Sequence, residues 1–108
     1  MSPSPFEWIQ QWYSEQCNGV WEHHAGLTIT TLDNPGWMLT VDVRGTALEL
    51  KALEKDRVLC ERSAEERAAL PDGHWLDCSI KNGKFVGACG PLDLAAVIEQ
   101  FREWANGP

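Results

Sequence analysis

Thr31-Leu32-Asp33-Asn34-Pro35-Gly36-Trp37 lies between two stretches of alternating residues: Leu27, Ile29 and Thr31 before it, Trp37, Leu39, Val41 and Val43 after it. Alternation with a period of two marks a strand with one buried face. Asp-Asn-Pro-Gly is a turn sequence with a physical basis. Proline presets φ for the first central position of a type II turn, and glycine accepts the positive φ that the second requires. The stretch therefore reads as an antiparallel hairpin. Just upstream stands Trp21-Glu22-His23-His24, read as strand or loop. A histidine pair among carboxylates and aromatics raises the question of whether the hairpin carries chemistry.

Outward from the hairpin the pattern continues in both directions. Arg44-Gly45 permits a turn, and Thr46 to Leu53 reads as a further strand with Leu48 and Leu50 inward. Arg57 to Arg62 is a short strand around Val58 and Cys60, and Trp75 to Ile80 alternates again. Lys81-Asn82-Gly83-Lys84 is an Asn-Gly hairpin turn, with Phe85 to Cys89 as its return strand. Between them, Ser63 to Gly73 is polar and helix-prone and is expected to be a surface insertion.

A helix is expected at each end. Ser4-Pro5-Phe6-Glu7 places serine at the N-cap, proline at N1 and glutamate at N3, as in a capping box. Residues 1–4 precede that helix and are expected to be disordered. Phe6, Trp8, Ile9, Trp12, Tyr13 and Cys17 cover about 180° of its circumference, wider than the ~100° of one packing contact, so the helix is expected to be deeply embedded, the alternative being a partly exposed Trp8/Trp12 edge. Asn18-Gly19 stops it. At the other end Leu94, Val97, Ile98, Phe101, Trp104 and Ala105 fall within about 120° of arc, an amphipathic helix that Asn106-Gly107-Pro108 ends. The expected architecture is α+β: an N-terminal helix, an antiparallel β-meander of five to six strands, and a C-terminal helix packed on the sheet. At 108 residues the chain holds one domain, residues 1–108, with one core.

Charge excludes some partners. The net charge is −7 and no cluster of lysine or arginine exists, so nucleic acid and anionic membranes are poor partners. No apolar run approaches the ~20 residues that span a bilayer, and Met1-Ser2-Pro3-Ser4-Pro5 lacks the features of a signal peptide. A cytoplasmic protein is expected, with Cys17, Cys60, Cys78 and Cys89 as reduced thiols.

Three kinds of chemistry can be weighed. No two cysteines stand at C-x-x-C spacing, and adjacent histidines in an extended segment point to opposite sides, so a metal site is not expected. Cys89 precedes the final helix, whose N-terminus would lower a thiol's pKa. The loop is too short to wrap an anion, however, and has no basic residue. His23 or His24 could act as a base oriented by Glu22 or Asp33, yet no matching nucleophile or oxyanion donor is recognisable. The sequence calls for no catalytic residue and no cofactor.

Several motifs occur together: Trp8-Ile9-Gln10-x-Trp12-Tyr13-x-x-Gln16-Cys17, Trp21-Glu22-His23, Thr31 to Trp37, then Phe85-x-Gly87, Gly90-Pro91 and Phe101-x-x-Trp104. Their combination resembles the immunity protein 53 family of bacterial polymorphic toxin systems, over about Trp8 to Trp104. Two features depart from the family pattern: the long segment Ser63 to Gly73, and Cys89 where glycine is expected. The resemblance implies a non-catalytic cytosolic antidote that binds and blocks a cognate toxin domain, such as a basic nuclease. Tight inhibition would rest on a few desolvated aromatics ringed by carboxylates, for which Trp8, Trp12, Glu22, His23, Asp33 and Asp42 are the candidates. The alternatives are a small rhodanese-like thiol enzyme using Cys89 and a generic protein-interaction module.

Overall fold

The computed structural model describes residues 3–33, 35–54, 56–60 and 74–107. The expected surface insertion, Ser63 to Gly73, lies outside them. Helix α1 (Pro5–Gln16) begins as its cap predicts, with Ser4 Oγ accepting the Glu7 N–H at 3.2 Å. The carbonyl of Pro3 accepts a hydrogen bond from the Arg102 guanidinium at 2.9 Å, so the chain is anchored ahead of the helix. The apolar arc of α1 splits. Ile9 and Trp12 are buried and Trp8 is half-buried, whereas Phe6, Tyr13 and Cys17 are exposed. The expected deep embedding is thus only half realised, because α1 packs chiefly along one other helix rather than into the sheet.

Trp21-Glu22-His23-His24 is a single helical turn, α2, and not the extended segment expected. Its start is built by a reciprocal exchange. Asn18 Oδ1 accepts the N–H groups of Val20 and Trp21 at 2.9 and 3.0 Å, while the Glu22 carboxylate accepts those of Asn18 and Gly19 at 2.9 and 2.7 Å. Asn18-Gly19 therefore ends one helix and opens the next. Asx side chains compete for local N–H groups in this way.

The hairpin follows as β1 (Gly26–Leu32) and β2 (Gly36–Asp42), in unbroken antiparallel register from Gly26↔Asp42 to Leu32↔Gly36. Gly36 is not the positive-φ residue a type II turn would need; it is the first residue of β2. Glycine is required there for space, since a Cβ would stand 2.2 Å from the backbone oxygen of Cys89.

Thr46 to Leu53 departs from the expected strand. Thr46 Oγ1 donates to the Val43 carbonyl and accepts the Leu48 N–H, and Glu49–Leu53 forms a short helix, α3. Ala47 to Leu53 is built of alanine, leucine, glutamate and lysine, all strong helix formers, and this outweighs the two-step alternation of Leu48 and Leu50. Leu50 is in fact exposed and Ala52 is the buried residue. Lys51 reaches the last turn of the C-terminal helix, where Nζ donates to the carbonyls of Trp104 and Gly107. A cation on the last carbonyls suits a helix C-terminus.

Strands β3 (Arg57–Cys60), β4 (Leu76–Lys81) and β5 (Lys84–Cys89) complete the sheet. Asn82 and Gly83, at φ 53° and 78°, make the predicted β4–β5 turn. Among the described residues the sheet has five strands, all antiparallel, in the order β1-β2-β5-β4-β3. After β2 the chain crosses by way of α3 to the far edge and returns, so β5 lies at the centre. Helix α4 (Leu94–Asn106) packs on one face of the sheet, against β4, β5 and β2, and α1 lies against α4. Between them sits the core of Leu39, Val41, Cys78, Ile80, Phe85, Val97, Ile98 and Phe101, tied to the aromatic residues of α1 and α2. The expected arrangement of helix, antiparallel sheet and packed C-terminal helix is the one observed.

Candidate functional site

Cys89, the candidate nucleophile, ends β5 between Trp37 of β2 and Leu76 of β4 and is fully buried. Burial pushes its thiol up to about 11; the nearby Asp93 carboxylate adds to the rise, and the Trp37 N–H opposes it. A thiol nucleophile needs the opposite shift. The Asp93 carboxylate instead joins two segments. One oxygen lies 2.7 Å from His74 Nδ1 and the other accepts the Trp75 N–H at 3.0 Å. The Gly90 N–H donates to the Trp75 carbonyl at 2.9 Å. The corner is a clasp between β4 and the head of α4.

The histidine pair fares no better as a catalytic dyad. His23 and His24 are exposed on α2, and the carboxylate of Glu22 faces back toward Asn18 and Gly19. Its own backbone N–H, together with those of Asn18 and Gly19, holds the Glu22 carboxyl below the usual carboxylate range. Asp33 lies past the other end of β1, roughly 20 Å away at strand rise. Among the described residues no group of three or more His, Cys, Asp or Glu is placed to hold a metal ion.

The six contact candidates have different surroundings. Trp12 is 9% exposed, its ring meeting Trp21 and Phe101 edge-on at 5.7 and 5.0 Å. Trp8 lies between Phe101 at 5.6 Å and the Arg102 guanidinium at 5.9 Å. Asp42 is 8% exposed; its carboxylate pairs with Arg44 at 2.9 and 2.7 Å, and its backbone carbonyl accepts the Trp21 indole N–H at 3.1 Å. The Arg44 guanidinium holds the Asp42 carboxyl below its ordinary value. Trp12, Glu22, His23 and Asp42 thus gather around Trp21, while Trp8 lies one turn back and only Asp33 is remote. Of the six, His23 and Asp33 are exposed.

A second surface was not read from the sequence. Tyr13, 38% exposed, stands at a cleft of about 220 Å³ between α1 and β1, lined by Ile9, Gln10, Tyr13 and Leu27, and Ile29, also 38% exposed, follows Leu27 on the same face of β1. One signal for it was present. The first 43 residues contain five carboxylates and no lysine or arginine, a charge of −5, whereas the rest holds eleven acids and nine bases. Helices α1 and α2 and strands β1 and β2 all fall in the base-free part.

The chain matches immunity protein 53 over residues 6–106. It belongs to the immunity protein 53 family. No curated protein and no solved structure matches it. Membership carries a role in immunity, and the family's recognisable residues can now be placed. A Cβ on Gly87 would stand 2.3 Å from Val97 Cγ2, so glycine there lets α4 approach the sheet. The Trp37 indole donates to the Pro91 carbonyl at 3.0 Å. Phe101 meets Phe85 and Trp104 at 5.2 and 6.2 Å. In this immunity protein 53 chain these signature residues build the fold.

Proposed function

We propose that the protein neutralises a cognate bacterial toxin domain by binding it in the cytoplasm, with no chemistry of its own. The match to an immunity family over residues 6–106 carries this reading. The buried, poorly ionisable Cys89 thiol supports inhibition by contact over sulfur transfer. The base-free N-terminal part supports a basic toxin, nucleases being a fitting class, because opposite charge speeds encounter.

The test is rescue of cells that express the toxin domain encoded beside this gene, together with co-purification of the two chains. Rescue should survive combined replacement of Cys89, His23 and His24 by alanine. Loss of rescue by a variant that remains folded and still co-purifies with the toxin domain would assign chemistry to those side chains. Iodoacetamide should modify exposed Cys17 well before Cys89 in the native protein; fast alkylation of Cys89 would reopen the thiol-enzyme alternative.

A further inference from the structure

The two edges of the sheet differ. Strand β3 has four residues, an irregularity between Val58 and Cys60, and a charged Arg57. Natural edge strands are blunted against stray pairing by such means: shortness, bulges and charge. Strand β1 has none of them. Its seven residues, Gly26-Leu27-Thr28-Ile29-Thr30-Thr31-Leu32, pair with β2 without a bulge and include no charge and no proline. Its other edge faces no strand among the described residues. Threonine and isoleucine favour the extended backbone. The row of alternate N–H and C=O groups along that edge is a template for one more strand.

Side chains give the edge a direction and a chemistry. Leu27, Ile29 and Thr31 pair with Val41, Leu39 and Trp37, so they lie on the face of the sheet that carries the core. A strand added beside β1 places every second side chain on that face, next to Ile29 and the cleft that Tyr13 and Leu27 line. The exposed carboxylate of Asp33 stands one residue past the end of this edge, and α1, α2 and β1 supply no lysine or arginine. A second copy of the chain would set against each other two stretches whose sequence, residues 1–43, carries five carboxylates and no lysine or arginine. A strand carrying lysine or arginine would not meet that repulsion.

We propose that β1 is the docking edge for the toxin: an extended, basic segment of the toxin domain pairs along Gly26–Leu32 and seats an apolar side chain in the cleft between α1 and β1. This inference rests on the toxin-binding function proposed above. In this mode of recognition backbone hydrogen bonds supply affinity and pockets for alternate side chains supply specificity.

Hydrogen exchange on the full chain, free and bound to the toxin domain that it rescues, tests the proposal. Alternate amides of β1 should become protected on binding, and those of β3 should not change. Ile29→Lys should weaken the complex at least tenfold, while Val58→Lys, on the opposite edge, should leave it within threefold. Circular dichroism checks that both variants are folded, and should Ile29→Lys fail it, the exchange pattern of the unmodified protein decides. Binding with no protection along β1 would overturn the docking edge and leave the function standing. Absence of any complex would overturn the function and the edge with it. A dimer of the free chain, seen by light scattering and protected along β1, would assign the edge to a second copy instead.

Discussion

Helix α4 meets β5 with no room to spare, whereas α1 meets β1 across an open cleft. At the first seam Gly87, Phe85, Val97 and Phe101 are buried, and a single added methyl on Gly87 meets Val97. At the second, Tyr13 and Ile29 stand partly in solvent and no lysine or arginine is near in sequence. Of the residues that carry the family resemblance, Phe85, Gly87, Phe101 and Trp104 fall at the first seam, whereas Ile9, Gln10 and Tyr13 line the second.

Substitutions should separate the two seams by stability. Phe101→Ala is expected to cost about 3–5 kcal/mol, the range for truncating a buried aromatic. Gly87→Ala should cost about 1–3 kcal/mol by overpacking. Urea titration reads both, and a neutral Gly87→Ala would show that α4 can retreat from the sheet. Acid should act next, through the Trp21 corner that joins α1 to the hairpin. Asp42 and Glu22 both have pKa values held below the ordinary carboxylate range. Their stabilisation is therefore present above about pH 4 and is lost as pH falls through the depressed values. The melting temperature should drop over that interval, and Asp42→Asn should flatten the drop. The smallest effect belongs to the open cleft: Ile29→Thr, partly exposed and still β-branched, should change stability by no more than about 0.5 kcal/mol. A larger loss would mean that the cleft is part of the core.

What could be read from the sequence was local. The β1–β2 hairpin, the Asn82-Gly83 turn and α4 each have a repeat or a turn chemistry contained within a dozen residues. Thr46 to Leu53 misleads because two alternating leucines imitate a strand in a segment whose composition is helical. Gly36 has the sequence context of a turn glycine, but its requirement is set by the backbone of Cys89, fifty-three positions on. Strand order depends on the crossover through α3, which no periodicity encodes. The contact candidates show the same limit. An abundance of tryptophan suits a binding surface or a ring-stacked core equally well, and only the pairing of Trp12 with Phe101 and Trp21 assigns it to the core.

The central position of β5 also bears on how the chain is made. Strand β2 pairs on one side with its neighbour β1, but on the other with β5, so Leu39 waits for Gly87. As synthesis proceeds from the N-terminus, the hairpin emerges early and stands without a floor until the last quarter of the chain arrives. The edge proposed to receive the toxin is therefore written first and gains its support only when β5 is made. A ribosome that stalls before Lys84 leaves two separate two-stranded ribbons, β1–β2 and β3–β4, each marginal in water, and no finished sheet.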